Sequence, residues 1–257
     1  MVLGGWVVAA LTLDVAAMPA AHADDRGVNY RAEERDNEDL HADATWARVF
    51  DSGELDTWEE YPALQRAWAD GIRNFHLSAK QASPAQVAAF GASMPEGIGK
   101  VYFTWLHEPE NEIRDTSLTK AQYIARWQSL APHVVEAGMY PLPVLMCRTW
   151  MPEFGRDPES YLVPGIPRLG VDCHLTEKDS LAVPRRVVAF VRARGLNLIT
   201  PELGVDPNHP QAMLKISNYL GVVEAYERHR VSMWFNAQRS VLSPEMARHY
   251  YVGVPSI

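Results

Sequence analysis

The feature that most constrains this chain is a series of short apolar runs that recur at fairly even intervals and alternate with segments of helical spacing. Strands that alternate with helices need crossover connections, and such connections produce a parallel sheet. Parallel strands are buried on both faces, which matches the nearly continuous apolar character of the runs. The pattern therefore predicts a fold of the α/β class. Seven runs are visible: WARVF (46–50), IRNFHLSAK (72–80), KVYFTWLH (100–107), YPLPVLMC (140–147), RLGVDCHL (168–175), LNLITPELG (196–204) and RVSMWFN (230–236).

The number of strands separates two α/β architectures. Eight parallel strands would close into a (β/α)8 TIM barrel, whereas seven or fewer would fit an open, doubly wound sheet. The 257 residues match the usual length of a barrel. No strand is followed by GxGxxG or GxxxxGK[ST], which removes the main reason to prefer a nucleotide-binding open sheet. We therefore predict one (β/α)8 barrel domain over residues 25–257, with an irregular or incomplete first strand.

The first 24 residues allow two interpretations. Residues 4–23, GGWVVAALTLDVAAMPAAHA, contain an apolar stretch and end in Ala-His-Ala, which is similar to a cleavage site. However, no Lys or Arg precedes the stretch, and Asp14 interrupts it. Residues 1–8, MVLGGWVV, could instead be the first strand of the barrel. A signal-like segment predicts a secreted protein, whereas a first strand here predicts a cytoplasmic one.

Charge and apolar content limit the partners of the chain. The formal net charge is −8 and the isoelectric point is about 5.6. Binding to nucleic acid needs clustered Lys and Arg, so we expect no nucleic-acid partner. No uncharged apolar run reaches the length of about 18 residues that indicates a membrane helix, so we expect no membrane partner either. We expect a monomer.

The chain has two cysteines, Cys147 and Cys173. They lie at the ends of strands that are neighbours in the predicted order, so a disulfide is sterically conceivable. Two cysteines are too few for a disulfide framework, and free cysteines are commonly buried as small hydrophobic residues. We therefore expect two reduced core cysteines.

Two glutamates end two different apolar strands. KVYFTWLH is followed by Glu108, and LNLITPELG contains Glu202 near its end. Active sites of (β/α)8 barrels lie at the C-terminal ends of the strands. A pair of carboxylates there suits glycoside hydrolysis, in which one protonates the leaving oxygen and the other attacks the anomeric carbon. The two roles require different pKa values, so the two environments must differ.

The stretch TWLHEPENE (104–112) holds three glutamates, of which one is the better catalytic candidate. Pro109 has a fixed φ and lacks an N–H donor, so the strand should end there. Glu108 is then the last residue that the strand holds rigidly. We expect Glu110 and Glu112 to be loop carboxylates, either solvated or in contact with substrate hydroxyls.

FTWLHEPENE together with ITPELG resembles the clan A glycoside hydrolases, and most narrowly glycoside hydrolase family 26 and its actinobacterial relatives. The resemblance implies a (β/α)8 barrel that retains anomeric configuration, with the acid/base after strand 4 and the nucleophile after strand 7. Glu108, preceded by His107 as in family 26, corresponds to the acid/base, and Glu202 to the nucleophile. If WARVF is strand 2, strand 1 must lie within residues 1–24 or in the charged region after them.

The resemblance also implies roles for neighbouring residues and shows two departures. Arg48 on strand 2 would pair with Glu202 and keep it ionised, and His107 would bind substrate or orient a carboxylate. Leu106 stands where relatives often have Trp. His174 would have to replace a Tyr that supports the nucleophile in the relatives. Asn236 is a candidate for binding a sugar hydroxyl.

The implied activity is that of a retaining glycoside hydrolase that acts on β-linked polysaccharide, such as mannan, xylan or mixed glucan, without a cofactor. Three tryptophans are candidate stacking surfaces for sugar rings: Trp105, Trp150 and Trp234. One alternative is a catalytically degenerate barrel that binds carbohydrate without cleaving it. Another is a metal-dependent barrel hydrolase. Its candidate ligands would be His107, Glu108, His174 and His209.

Overall fold

The computed structural model describes residues 26–29, 43–175, 181–206 and 208–234, together with Met246 and Tyr250. Asn236 and both interpretations of residues 1–24 therefore lie outside the described residues. Among the described helices, none has the length and apolar character needed to cross a membrane.

The described strands form one parallel sheet of nine segments. The four-residue β1 pairs with β2 on one side and β9 on the other, so it takes the position of the first barrel strand. It lies in the charged region after residue 24, which is one of the two places expected for it. The strands are β1 (Arg26–Asn29), β2 (Trp46–Glu54), β3 (Asn74–Gln81), β4 (Val101–Trp105), β5 (Tyr140–Pro141), β6 (Val144–Met146), β7 (Arg168–Leu175), β8 (Asn197–Val205) and β9 (His229–Trp234).

Helices follow most of the strands and cover the outer face of the sheet. Ser83 and Thr119 begin two of them with capping boxes, in which each side chain accepts a backbone N–H of the first turn. The helices are α1 (Pro62–Ala69), α2 (Pro84–Ser93), α3 (Pro109–Asp115), α4 (Lys120–Glu136), α5 (Ala182–Ala193) and α6 (Ala212–Glu224). Between β6 and β7 the chain instead forms short 3-10 turns within residues 147–161.

The sheet closes into a barrel through β5 and β6, which are two parts of one extended stretch. β5 pairs with β4, and β6 pairs with β7. Between them, the Leu142 N–H donates to Phe103 O at 2.8 Å, and the Pro143 carbonyl accepts from Gly170 N at 2.8 Å. The stretch thus fills the fifth barrel position, and the predicted (β/α)8 architecture is confirmed. In this count β4 is the fourth barrel strand and β8 is the seventh.

The inner face of the barrel has an apolar layer and a polar layer. The apolar layer is a cluster made only of strand residues and their connection: Trp46, Tyr102, Leu142, Val144, Ile199, Val231 and Met233. One inward position further along the strands, the side chains are polar, because inward positions alternate along a strand. Arg48 follows Trp46, and Thr104 follows Tyr102. The polar layer lies toward the C-terminal ends of the strands, where barrel active sites lie.

The expectation of two reduced cysteines is wrong. Cys147 and Cys173 form a disulfide, with their Cα atoms 4.9 Å apart. Met146 pairs with Asp172 across β6 and β7, so the two cysteines face each other one position further on. Strand order alone does not specify this register, which is why the sequence left both states open. The disulfide ties the ends of two strands beside the polar layer.

Candidate active site

Glu108 is held by an unusual backbone at the end of β4. Leu106 and Glu108 both have positive φ, at 54° and 51°, a region that residues other than glycine rarely adopt. The Glu108 N–H donates to Val144 O at 3.0 Å, which ties the turn to the neighbouring barrel strand. Pro109 then begins α3, so the strand ends where proline predicts. Such backbone strain concentrates at functional sites.

The surroundings of Glu108 suit a proton donor. Burial raises the pKa of Glu108, while Arg48, Arg148 and Arg156 oppose that rise. Asn111 Nδ2 donates to Glu108 Oε2 at 3.0 Å and fixes the carboxyl group at the start of α3. A carboxyl group with a raised pKa carries a proton in a larger share of molecules near neutral pH.

Glu202 lies on β8 where the pairing becomes irregular. The register with β9 shifts between Thr200 and Leu203, and bulges of this kind are frequent next to active sites. The Glu202 side chain is only 8% exposed. It forms an ion pair with Arg48, and His174 Nε2 lies 3.0 Å from its second oxygen. Both contacts favour the ionised carboxylate.

Arg48 connects several carboxylates inside the barrel. Its second guanidinium nitrogen lies 3.6 Å from Asp172 Oδ2, and both side chains are fully buried. Burial raises the pKa of Asp172, and the charge on Arg48 opposes this rise. Burial lowers the pKa of Arg48, and the Coulombic effects of Asp172 and Glu108 oppose the change. One buried cation thus faces Asp172, Glu202 and, at longer range, Glu108.

His107 lies between the two strained residues of the turn. Its ring packs edge-on against Phe50 at 4.4 Å, and Phe50 remains 38% exposed. Burial, assisted by Arg48 and Lys80, lowers the pKa of His107 to about 3, so the ring is neutral near pH 7. A neutral imidazole can donate to or accept from a sugar hydroxyl.

The structure brings together a different set of possible metal ligands from the set expected for a metal-dependent hydrolase. In the described part of the chain, ligand atoms of His107, Asp172 and Glu202 lie within 4.8 Å of one another. Of the four ligands expected for that alternative, this group contains only His107. Arg48 forms ion pairs with both carboxylates of the group, so these carboxylates already have a cationic partner.

The expectation that Glu110 and Glu112 are loop carboxylates is wrong. Both lie in α3, because the proline that ends β4 is also the first residue of this helix. Glu110 is 2% exposed and accepts from the Met146 N–H at 2.9 Å and from the Thr149 hydroxyl. Glu112 forms an ion pair with Lys80 at 2.6 Å.

The three candidate tryptophans are core residues and not open stacking surfaces. Trp105 is 8% exposed and stacks on Tyr123 of α4 at 5.7 Å. Trp150 is 6% exposed and packs edge-on against Phe190 of α5. Trp234 is fully buried against Tyr250. The sequence indicates that these tryptophans lie near strand ends. It does not show that their side chains point away from the barrel interior.

Several residues of the site have no role assigned from the sequence. Asp172 precedes His174 by two positions on β7, so the period of two along a strand could have placed both on the inner face. Phe50 occupies the second inward position after Trp46 by the same rule. Arg148 and Arg156 lie on the irregular segment after β6, where no sequence period exists to indicate their direction.

Solved structures with a similar fold include several glycoside hydrolases. An endo-β-1,4-mannanase double mutant from Cellulomonas fimi has a TM-score of 0.60 and 14% identity, over 89% of this chain and 69% of that one. An endoxylanase of glycoside hydrolase family 30 from Clostridium papyrosolvens has a TM-score of 0.57 and 12% identity, over 90% and 68%. The catalytic domain of a family 26 endo-β-1,4-mannanase from Bacillus sp. has a TM-score of 0.52 and 12% identity, over 84% and 78%. No family model and no curated protein matches the sequence.

These comparisons define a class of fold. The neighbours belong to clan A of the glycoside hydrolases, and the chain shares their (β/α)8 barrel. At identities of 12–14%, the likeness shows the fold.

Proposed function

We propose that this chain is a retaining glycoside hydrolase that cleaves β-linked polysaccharide, with Glu108 as acid/base and Glu202 as nucleophile. One observation carries the proposal: the two buried glutamates at the ends of β4 and β8 have contrasting surroundings. Burial raises the pKa of Glu108, whereas Glu202 is paired with Arg48 and hydrogen-bonded to His174. Two carboxyl groups with opposite protonation preferences are what double displacement requires.

In the first step Glu202 attacks the anomeric carbon while Glu108 gives its proton to the leaving oxygen. The bond to the leaving group breaks, and a covalent glycosyl-enzyme forms. In the second step Glu108, now a carboxylate, removes a proton from water, and the water oxygen displaces Glu202. This mechanism requires the two carboxyl groups to lie about 5–5.5 Å apart.

His174 takes the supporting position for which the resemblance implies a tyrosine. Its Nε2 lies 3.0 Å from Glu202 Oε2, so an Nε2–H donor can hold the nucleophile. A phenol and an imidazole can both donate one hydrogen bond to a carboxylate. The replacement therefore keeps the contact that the nucleophile needs, which favours catalysis over a degenerate carbohydrate-binding barrel.

The proposed substrates come from the structural neighbours, and the proposed location comes from the disulfide. Structural neighbours include a mannanase, a xylanase and a glucanase, so mannan, xylan and mixed glucan are the first substrates to test. The Cys147–Cys173 disulfide fits an oxidising compartment, since disulfides are rare in the cytosol. Secretion is accordingly the location we propose.

The first experiment measures release of reducing ends from these polysaccharides, followed by NMR of the newly formed anomer. We expect the β-anomer to appear first. A 2-deoxy-2-fluoro glycoside should then label Glu202 covalently, as mass spectrometry of the digested protein would show. Glu108→Gln and Glu202→Gln should each reduce kcat by at least about 10³-fold, because each removes a group that acts only in the chemical steps.

The matched control is Glu112→Gln on α3, which removes a nearby carboxylate that pairs with Lys80 and should retain activity. Initial release of the α-anomer, or labelling at another residue, would contradict the assignment. Binding of polysaccharide that persists in both glutamine variants, with no release of reducing ends by the wild type, would instead establish the non-catalytic alternative.

A further inference from the structure

A cavity beside Glu108 is left unused by the double displacement. It has a volume of about 380 Å³ and lies between α3 and the segment 146–161. This volume is within the range of pockets that hold small ligands. Asn111, which donates to Glu108 Oε2, is part of the cavity wall. Asn111 thus places the cavity next to the carboxyl group that, in the proposed mechanism, gives its proton to the leaving oxygen.

The wall of this cavity is cationic although the chain has a net charge of −8. It contains three arginines and one glutamate. Arg114 is already bound to Asp115 through two hydrogen bonds of 2.6 Å. In the described part of the chain, Arg148 and Arg156 form no ion pair with a carboxylate group. Arg156 donates to Met146 Sδ at 3.5 Å, and both arginines contact the Phe154 ring, so these contacts are with uncharged groups and neither positive charge is neutralised by a paired carboxylate of the described residues.

Both of these arginines contact one aromatic ring, that of Phe154. Phe154 is 44% exposed, and the guanidinium carbons of Arg148 and Arg156 each lie 5.8 Å from the centre of its ring. Tyr161 adds a second aromatic side chain to the wall. An exposed ring offers an apolar surface to one face of a sugar, while the guanidinium groups reach charged substituents at its edge.

Glu110 is the one acidic side chain of the wall, and it does not neutralise the arginines. It is 2% exposed, and its Oε1 accepts both the Met146 N–H and the Thr149 hydroxyl. Glu110 therefore contributes to the floor of the cavity, while the arginines supply the charge that an entering ligand meets.

We propose that this cavity is a leaving-group subsite for a sugar that carries a carboxylate, so that the substrate is a β-linked glycan containing uronic acid. The assignment to the leaving-group side rests on the proposed function, whereas the preference for an acidic sugar rests on the cavity itself. A guanidinium group binds a carboxylate through two parallel charge-assisted hydrogen bonds, which a neutral hydroxymethyl group cannot form.

The test compares two ligands that differ only in this group. Calorimetry on Glu202→Gln protein would measure binding of a β-linked oligosaccharide with a uronic acid, and of its carboxyl-reduced counterpart. We expect the acidic ligand to bind at least about tenfold more tightly, as charge-assisted hydrogen bonds are the stronger ones. Adding Arg148→Gln and Arg156→Gln together should bring the ratio of the two affinities close to one.

Two further variants separate lost charge from lost folding. Arg148→Lys with Arg156→Lys should keep part of the preference, since the charge remains. Arg185→Gln, which changes an exposed arginine on α5, should keep all of the preference.

Equal affinity for both ligands, no measurable binding of either, or a preference that survives the double glutamine change would overturn the proposal. Hydrolysis of neutral glycans without an acidic preference would contradict this inference alone. A clear acidic preference without hydrolysis of any glycan would contradict the hydrolase proposal alone.

Discussion

Two inward-facing residues on β2 show how the barrel interior divides. Trp46 and Arg48 are two positions apart and are buried to 2% and 0% exposure. Trp46 stacks on Tyr102, with ring centres 5.1 Å apart, and belongs to the apolar layer. Arg48 instead lies among carboxylates. One strand therefore supplies a stabilising layer at its start and a charged layer immediately beyond it.

The two layers act on the free energy of unfolding in opposite directions. Burial of Trp46 and its neighbours removes apolar surface from water, which favours the folded state. Burial of Arg48, Asp172 and Glu202 removes charges from water, at a cost of several kcal/mol per ion that their attraction only partly offsets. The presence of these buried charges is therefore better explained by a catalytic role at the strand ends than by a contribution to stability.

The largest effect should follow from replacing the cation, as in Arg48→Met. We expect kcat to fall at least about 10³-fold, because Glu202 loses the charge that keeps it ionised. The free energy of unfolding should fall by about 3–5 kcal/mol, because buried carboxylates are left without their partner. Activity assays and urea unfolding would measure both quantities.

A double change distinguishes the two effects of Arg48. Adding Asp172→Leu to Arg48→Met should recover part of the lost stability while the protein stays inactive, because it removes one of the two buried carboxylates that lost their partner. Recovery of activity together with stability would contradict the role of Arg48 in keeping Glu202 ionised.

In the apolar layer, Trp46→Ala should affect stability without changing the chemistry. We expect a loss of about 3–5 kcal/mol, because the substitution opens a cavity beside Tyr102. In the molecules that remain folded, kcat should stay within about threefold of the wild-type value, because the tryptophan lies below the charged layer. A much larger fall in kcat at a temperature where the variant is fully folded would show that the layers are coupled.

Glu110 should make stability depend on pH. Burial raises its pKa from 4.5 to about 7. Between these values the folded protein binds more protons than the unfolded chain, so the free energy of unfolding falls as the pH rises. The contribution of protonated Glu110 to the free energy of unfolding is fully present below pH 4.5. Above pH 7 this contribution, about 3 kcal/mol, is lost.

Glu110→Gln should remove this contribution, because the amide does not titrate. Urea unfolding at several pH values would compare the variant with the wild type. Glu112→Gln, on the same helix but paired with Lys80 at the surface, should keep the wild-type dependence. An unchanged pH profile in Glu110→Gln would mean that another group causes it.

The smallest effect should come from His174, which supports Glu202 by one hydrogen bond. His174→Phe should lower kcat by about 10- to 100-fold, in line with a hydrogen bond to a charged group worth about 1.5–3 kcal/mol. His174→Tyr restores the donor and should stay closer to the wild type. If both variants behave alike in steady-state assays, the hydrogen bond has no catalytic importance.

The architecture was largely predictable from the sequence. Apolar runs such as KVYFTWLH are local features that indicate strands buried on both faces of a parallel sheet. With WARVF counted as strand 2, as the resemblance requires, their order placed Glu108 at the fourth barrel strand and Glu202 at the seventh. The first strand was harder to locate because β1 has only four residues within a charged region. A run so short has no periodicity that separates it from a loop.

The sequence predicted the contacts of candidate site residues only where a polar residue occupied an inward position on a strand. Arg48 and His174 lie on strands, and both are found against Glu202. Trp105 lies on a strand too, but its side chain faces α4. Arg148 and Arg156 follow irregular backbone, so no period could indicate that they line one cavity.

By itself, the sequence determined the order of strands and helices and the pair of glutamates at two strand ends, because local periodicity and proline carry that information. The tertiary structure decided the register that joins Cys147 to Cys173, the burial of Glu110 and the contacts of Arg48. These depend on contacts between residues far apart in the chain. Their energies arise only when the barrel closes and removes the charged groups from water.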